Sequence, residues 1–118
     1  MTTENKTRNE LYDYCERIRA NLENIYNGNE KNDDGETVTL WDYVNGDALD
    51  FEYTISSDGS YLGVRLYVTL GGPNIWVDTR NGEIAGAWGT DRANVWLPPK
   101  IAAALDVIFE ECYFERIG

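Results

Sequence analysis

The chain contains no histidine, and it has only two cysteines and one methionine among its 118 residues. Without histidine it lacks the side chain that most often serves as a general base or a metal ligand at neutral pH. The two cysteines, Cys15 and Cys112, show no CxxC or other metal-binding spacing and fall among apolar helical positions, so we expect both to pack as small hydrophobic side chains. These absences argue against an enzyme, a metal site or a bound cofactor.

Basic residues are also scarce, because ten Lys and Arg stand against 21 Asp and Glu, for a formal net charge of −11 at pH 7. The acidic residues are spread along the chain and form no separate tail. Nucleic acids and anionic membranes repel such a chain, which argues against direct DNA or RNA binding. The charge favours a partner that itself carries a basic surface, although plain solubility accounts for it equally well.

Long apolar runs are missing. No stretch approaches the roughly 18 apolar residues of a membrane span, and the N-terminus MTTENKTRNE has no apolar signal segment. We therefore expect a cytoplasmic protein that makes no contact with a membrane. The length predicts one domain, 1–118, with a single hydrophobic core.

Apolar residues recur at helical spacing near both ends of the chain. These patterns predict amphipathic helices over about 7–27 and 99–116, with Glu110 and Glu111 on the ordinary solvent face of the second. Between them, TLWDYV predicts a short helical turn capped by Thr39. The polar stretch NGNEKNDDGE suggests a calcium loop, but with Gly35 at the sixth position of such a loop the twelfth is Trp41, where a bidentate Glu is needed, so we expect no metal there. The two apolar stripes are Leu11, Cys15, Ile18, Leu22 and Ile25, then Ile101, Leu105, Ile108 and Cys112.

Between the helices, residues of about 48–97 predict a five-stranded antiparallel meander. Asp58-Gly59 and Asn81-Gly82 are typical of two-residue type I′ hairpins, in which both turn residues have positive φ. The fold class is therefore α+β, with the N-terminal and C-terminal helices packed on one face of the sheet. Around Asp58-Gly59 every inward pair is apolar: Leu49 with Val68, Phe51 with Leu66, Tyr53 with Val64 and Ile55 with Leu62.

The glycine-rich stretch LGGPNIWVDTRNGEIAGAWG raises the alternative of a phosphate-binding loop. It has neither the GxGxxG order nor the GK[ST] ending of such loops, so it is assigned to strands and turns. A tight turn near 90–92 returns Val95 and Leu97 to the inner face. The other expected pairs are Leu70 with Ile75 and Val68 with Val77 across GGPN, then Ile75 with Trp88 and Val77 with Gly86 across Asn81-Gly82.

The same register places aromatic and charged residues on the outer face of the sheet. Trp76 and Trp96 are expected on either side of Ala87, as an aromatic shelf for a partner. Asp50 and Asp78 flank Tyr67 in the next row, where they fit solvated acids better than a catalytic pair. Two alternatives remain, in which another segment of the chain covers this face or a second copy does so, as a homodimer through Trp76 and Trp96. The third row holds Glu52, Arg65, Arg80 and Glu83, and the predicted partner-binding residues are Trp76, Trp96, Tyr67, Asp50, Asp78 and Arg65.

The motifs LDFEYTI, GVRLYVTLGGPNIWVDT and NGEI carry a resemblance that covers about residues 39–112. They resemble small acidic proteins carried by prophages and conjugative elements of gut Firmicutes, whose hallmark is a similar Gly-Gly-Pro-Asn hairpin followed by Val-Asp-Thr. The resemblance implies a genomic setting and no catalytic residues. That setting also yields inhibitors of restriction and CRISPR nucleases, small acidic proteins that often occupy a basic nucleic-acid groove.

Charge, exposed aromatics and this resemblance predict a non-enzymatic inhibitor encoded by a mobile genetic element, of the anti-CRISPR or antirestriction type. It would bind a host defence nuclease or another basic nucleic-acid-binding protein. Two alternatives stay open. One is a module for a small ligand such as a nucleotide signal, lined by GGPN with Tyr67, Asp78 and Arg65, and the other is an immunity protein or antitoxin against a cognate toxin.

Overall fold

The computed structural model describes residues 3–117, with side chains from Thr7 to Glu115. The strands form one antiparallel sheet in sequence order, which is the predicted meander. The first helix packs on the fourth and fifth strands and the last helix on the second strand, which confirms the α+β fold. In chain order the elements are α1 (Thr3–Tyr26), α2 (Leu40–Asp47), β1 (Asp50–Ile55), β2 (Tyr61–Thr69), β3 (Asn74–Asp78), β4 (Glu83–Trp88), β5 (Asp91–Trp96) and α3 (Pro99–Ile117).

The core lies between the helices and the inner face of the sheet. All five apolar residues of the predicted α1 stripe are buried, as are Ile101 and Leu105 of α3. Further along α3 the prediction is wrong, because Phe109 and Tyr113 are buried where Ile108 and Cys112 were expected, and the latter two are only half-buried. The Phe109 ring packs 5.2 Å from that of Phe51, measured between centroids, so the larger aromatic side chains reach the sheet first.

Helix α2 begins at the predicted cap. The Thr39 hydroxyl accepts a hydrogen bond from the Asp42 N–H at 3.2 Å, and the Asp42 carboxylate accepts one from the Thr39 N–H at 2.9 Å. This capping box satisfies two backbone donors that the helix leaves unpaired. Tyr43, 4% exposed, then fixes α2 to the core.

The predicted type I′ turns are wrong. Within residues 3–117 only glycines have positive φ, so neither Asp58 nor Asn81 adopts the left-handed conformation that a type I′ turn requires. Between β1 and β2 the Asp58 carboxylate instead accepts a hydrogen bond from the Ser60 N–H at 3.0 Å, within a longer turn closed by Ser56. The predicted register holds as far as Tyr53 with Val64. A bulge then pairs Ile55 with Tyr61 and not with Leu62, and β1 begins after Leu49, so the pair with Val68 is not formed.

The next two registers each differ from the prediction by two residues. A four-residue loop, Thr79–Gly82, joins β3 to β4, because the Asp78 carboxylate accepts a hydrogen bond from the Asn81 N–H at 2.9 Å. The predicted turn near 90–92 is also displaced, because β4 and β5 are joined at Gly89-Thr90 and Ala87 faces Arg92 rather than Trp96, a shift of four residues. An even shift keeps each side chain on its predicted face, and Val95 and Leu97 are buried as expected. Val77 faces Leu66 on one side and Ile84 on the other, where Val68 and Gly86 were predicted. Ile75 faces Gly86 where Trp88 was predicted. Leu70, the predicted partner of Ile75 across GGPN, lies outside the strands.

Burial makes a prediction about the two thiols. Cys15 is fully buried, and burial raises the pKa of its thiol from an ordinary value of 9.0 to about 11, whereas Cys112 is half-buried. We expect a thiol-reactive disulfide reagent at pH 8 to label Cys112 first and Cys15 only as the protein unfolds. Because the raised pKa favours the folded state while the thiol is protonated, this contribution is full below pH 9 and is lost toward pH 11.

The variant Cys112→Ser isolates the buried thiol. Its labelling rate is expected to follow the unfolded fraction as urea is added, with complete reaction above the unfolding midpoint. Labelling of the native Cys112→Ser variant as fast as that of a free thiol in solution would contradict the burial of Cys15.

Candidate functional site

The outer face of the sheet, opposite α1 and α3, carries the residues that the sequence placed there, but in different rows. Trp76 and Trp96 do not share a row, because the β3–β4 register differs from the prediction by two residues and the β4–β5 register by four. Ala87 therefore lies between Asn74 and Arg92. The predicted aromatic shelf is therefore wrong in its geometry. One observed row is Asp50, Tyr67, Trp76, Ala85 and Asn94, and the next is Glu52, Arg65, Asp78, Glu83 and Trp96.

Trp76 is half-buried by its own neighbours. The Arg65 guanidinium lies 5.1 Å from the centroid of its ring, and the Tyr67 ring lies 6.2 Å away. The indole Nε1 is buried and has no hydrogen-bond partner among the described residues. Most of the Trp76 surface is thus used within the sheet, where it covers the buried Ala85.

The charged members of the predicted site are also engaged internally. Asp78 is 4% exposed, and its Oδ2 accepts hydrogen bonds from Nε and Nη2 of Arg65 at 3.2 and 3.1 Å. The Tyr67 hydroxyl donates to Glu52, and this hydrogen bond raises the pKa of Tyr67. Of the predicted acids, Asp50 remains exposed, and Asp78 lies beside Arg65 and not across Tyr67, so the expected Asp50–Tyr67–Asp78 row is not formed.

The alternative ligand pocket is not assembled either. Arg65 pairs with Asp78 at the end of the β2–β3 pairing that lies farthest from the GGPN turn. The Asn74 side chain of that turn accepts a hydrogen bond from the Gly71 N–H at 2.9 Å. The turn and the ion pair therefore lie at opposite ends of the hairpin and line no common pocket.

Trp96 is the most accessible aromatic residue of the predicted site, with 78% of its surface exposed. It borders a groove of about 510 Å³ between the Thr79–Gly82 loop and the beginning of α3. The loop is held in place by Val64, whose N–H donates to the Thr79 hydroxyl at 2.9 Å and whose C=O accepts from the Thr79 N–H at 3.0 Å. Two alanine side chains of α3, Ala102 and Ala103, contribute to the apolar lining.

The exposed side of α3 carries an apolar stripe that the sequence analysis missed. Val107 is 67% exposed and Phe114 is 51% exposed, and seven residues, or about two helical turns, separate them. Glu110 and Glu111 lie between them in sequence, on either side of the stripe. The signal in the sequence was the spacing of Val107 and Phe114, since neither belongs to the buried stripe of the helix.

The groove and the stripe form a continuous surface. Ala103 lines the groove and is itself exposed, and Val107 follows it after one turn on the same side of the helix. From Ile101 to Glu115 the chain has four acidic residues and no basic one. We call this the α3 surface, made of Trp96, Ala103, Val107, Glu110, Glu111, Phe114 and Glu115.

Other site types find no support in the part of the chain that the structure describes. Between residues 3 and 117 no group of three or more His, Cys, Asp or Glu side chains is placed to hold a metal ion. Over the same range none of the helices has the length and apolar character needed to cross a membrane. No protein-family model matches the chain, and neither a curated protein nor a solved structure matches it.

Proposed function

We propose that the chain is a non-enzymatic inhibitor that binds a basic nucleic-acid-binding protein, such as a host defence nuclease, through the α3 surface. The observation that carries the proposal is the exposure of Val107 and Phe114 on a helix whose exposed side also carries Glu110, Glu111 and Glu115. Apolar side chains buried at the centre of an interface supply most of its affinity, and the charges around them select the partner.

Single exposed apolar residues are common on protein surfaces and need no explanation. Here, however, two large ones lie on the same side of one helix, and the surface continues to a tryptophan that is 78% exposed. Tryptophan is among the residues most enriched at the energetic centres of interfaces. Trp96, Val107 and Phe114 are therefore the proposed anchors.

The charge of the chain supports an inhibitory outcome. A protein surface that binds nucleic acid is lined by Lys and Arg, and their binding to phosphates releases the counterions that had been associated with the nucleic acid. A chain of net charge −11 is attracted to the same surface, and its carboxylates compete with the phosphates there. The mobile-element setting that the sequence resemblance implies, in prophages and conjugative elements, is part of the same proposal.

The test begins with capture of the partner by the tagged chain from a nuclease-treated lysate of the organism that carries the gene. The captured protein is then purified, and its binding to a labelled DNA duplex or RNA is followed by fluorescence anisotropy as the chain is added. We expect the chain to displace the nucleic acid at a ratio of one chain to one binding site. A captured protein that still binds nucleic acid when saturated with the chain would contradict the proposal.

Variants of the exposed aromatic residues show which surface makes the contact. Phe114→Ala and Trp96→Ala are each expected to weaken inhibition about 30-fold, the effect of losing a hot-spot side chain worth about 2 kcal/mol. Tyr12→Ala is the matched control, because Tyr12 is 48% exposed on α1 and lies outside the α3 surface. Equal effects of Phe114→Ala and Tyr12→Ala would remove the α3 surface from the mechanism.

A further inference from the structure

Strand β1 forms one edge of the sheet and pairs only with β2. Half of its backbone N–H and C=O groups therefore point away from the sheet and have no strand to pair with. At the opposite edge α1 packs against β5, whereas five of the six residues of β1 are exposed. The edge of β1 is accessible to another extended segment.

Along this edge the apolar side chains lie on the inner face of the sheet and the acidic side chains lie on the outer face. Leu49, just before the strand, is 62% exposed, Phe51 is 38% exposed and Ile55 is 49% exposed, and all three alternate on the inner side. Asp50 and Glu52 are exposed on the outer side. Asp50 accepts a hydrogen bond from the Phe51 N–H at 2.8 Å and Glu52 accepts one from the Tyr67 hydroxyl, but among the described residues neither carboxylate forms an ion pair.

We propose that β1 accepts an extended, basic segment of the partner protein as a sixth strand of the sheet. Lys or Arg side chains of that segment face Asp50 and Glu52, and the apolar residues that alternate with them face Leu49, Phe51 and Ile55. Main-chain hydrogen bonds hold such a strand, and the alternate side chains determine which sequence binds. The inference rests on the proposed function for the basic character of the partner, but it concerns a surface other than the α3 surface.

A second copy of this chain fits the edge poorly. An antiparallel β1–β1 contact would bring Asp50 and Glu52 of one copy close to the same two residues of the other. Like charges that face each other across neighbouring strands destabilise the pair, and each copy carries a net charge of −11. The same two carboxylates thus reject a second copy and attract a basic strand.

The experiment measures binding of an eight-residue peptide of alternating lysine and valine to the full chain by isothermal titration calorimetry. Hydrogen exchange is measured on the same complex, and we expect binding to protect the amides of residues 50–55. A peptide of equal composition with the two residue types in separate blocks is expected to bind at least about tenfold more weakly, because only alternation matches both faces of the edge. A peptide N-methylated on one edge keeps its charge but loses its main-chain donors, and it is also expected to bind at least about tenfold more weakly.

Charge reversal identifies the site of binding. The double variant Asp50→Lys/Glu52→Lys is expected to lose binding of the lysine–valine peptide and to bind instead a glutamate–valine peptide of the same length. The control Asp33→Lys/Asp34→Lys changes the net charge equally, in the exposed loop between α1 and α2 and outside both proposed surfaces, and is expected to bind the lysine–valine peptide within about threefold of the original chain. All four carboxylates are exposed, so both double variants are expected to fold.

Three results would overturn the inference: equal binding of the alternating and block peptides, equal binding of the N-methylated peptide, or equal loss in both double variants. Each result would show that the net charge of the chain alone attracts the peptide, without pairing to β1. If Phe114→Ala and Trp96→Ala lose inhibition of the captured protein while Asp50→Lys/Glu52→Lys binds the lysine–valine peptide as well as the original chain does, the proposed function stands and only the strand inference fails. If no basic protein is inhibited, whatever the peptide does, the proposed function fails.

Discussion

Replacing Phe109 with alanine is expected to lower the free energy of unfolding by about 3–5 kcal/mol, the usual cost of removing a buried aromatic ring. Phe109 is 2% exposed, and its ring lies 5.2 Å from that of Phe51 and 6.4 Å from that of Tyr53. The helix has little freedom to close the resulting cavity, because the Tyr113 hydroxyl donates to the Gly59 C=O at 2.8 Å. The lost contacts are those that join α3 to the edge of the sheet.

Urea unfolding followed by far-ultraviolet circular dichroism measures this change, with Phe114→Ala as the control on the same helix. Phe114 is 51% exposed, so its replacement is expected to change the free energy of unfolding by no more than about 0.5 kcal/mol. The two variants separate stability from binding, since Phe109 holds the helix and Phe114 is proposed to contact the partner. Similar losses of stability in both would mean that the Phe109 ring is not the main contact between α3 and β1.

The parts of the fold that follow from the sequence are those set by burial alone. The α1 stripe from Leu11 to Ile25 repeats at helical spacing, and all of its members are buried. Phe51 with Leu66 and Tyr53 with Val64 fix the β1–β2 register, because slipping by one residue would expose the apolar face. Periodicity finds these elements since it reports which side of each element faces the core.

The turns could not be predicted from dipeptides, because side chains outside each dipeptide compete for the backbone. Asp78 accepts a hydrogen bond from the Asn81 N–H and makes a four-residue loop more favourable than the type I′ turn that Asn81-Gly82 indicates. This choice moves β4 by two residues relative to β3. The β4–β5 turn, at Gly89-Thr90, shifts β5 by four residues in addition, so Trp76 and Trp96 fall in different rows and the predicted shelf fails although each residue lies on its predicted face.

The α3 surface was missed for a different reason. The pattern Ile101, Leu105, Ile108, Cys112 satisfies helical spacing, yet the observed stripe turns at Phe109 and Tyr113 toward β1. Apolar spacing alone does not distinguish these two stripes, which lie one residue apart around the helix. The buried stripe is the one whose large aromatic rings, those of Phe109 and Tyr113, pack against the sheet. Once the helix is turned this way, Val107 and Phe114 face solvent together with Glu110 and Glu111.

Asp78→Ala is expected to lower the free energy of unfolding by about 2–3 kcal/mol, because it removes a buried carboxylate with several hydrogen bonds to it. Those from Arg65 span 3.1–3.2 Å, and those from the N–H and Nδ2 of Asn81 span 2.9 and 3.2 Å. Arg65 itself is partly exposed, so the ion pair alone contributes about 1 kcal/mol at most, and the larger share comes from closing the Thr79–Gly82 loop. Urea unfolding again supplies the measurement.

Asp78→Asn separates the two contributions, because its amide oxygen still accepts from the Asn81 N–H. Its NH2 group takes the place of the Oδ2 acceptor and faces the donors of Arg65 and of the Asn81 side chain, so about 1–2 kcal/mol of destabilisation is expected, less than for Asp78→Ala. The matched control is Asp50→Ala, an exposed aspartate on the same face, with an expected change below about 0.5 kcal/mol. Equally small effects of Asp78→Ala and Asp50→Ala would mean that Thr79 and Val64 hold the loop without the carboxylate. Because that loop forms one wall of the groove beside Trp96, Asp78→Ala is expected to weaken binding through the α3 surface as well, and Asp78→Asn to preserve it.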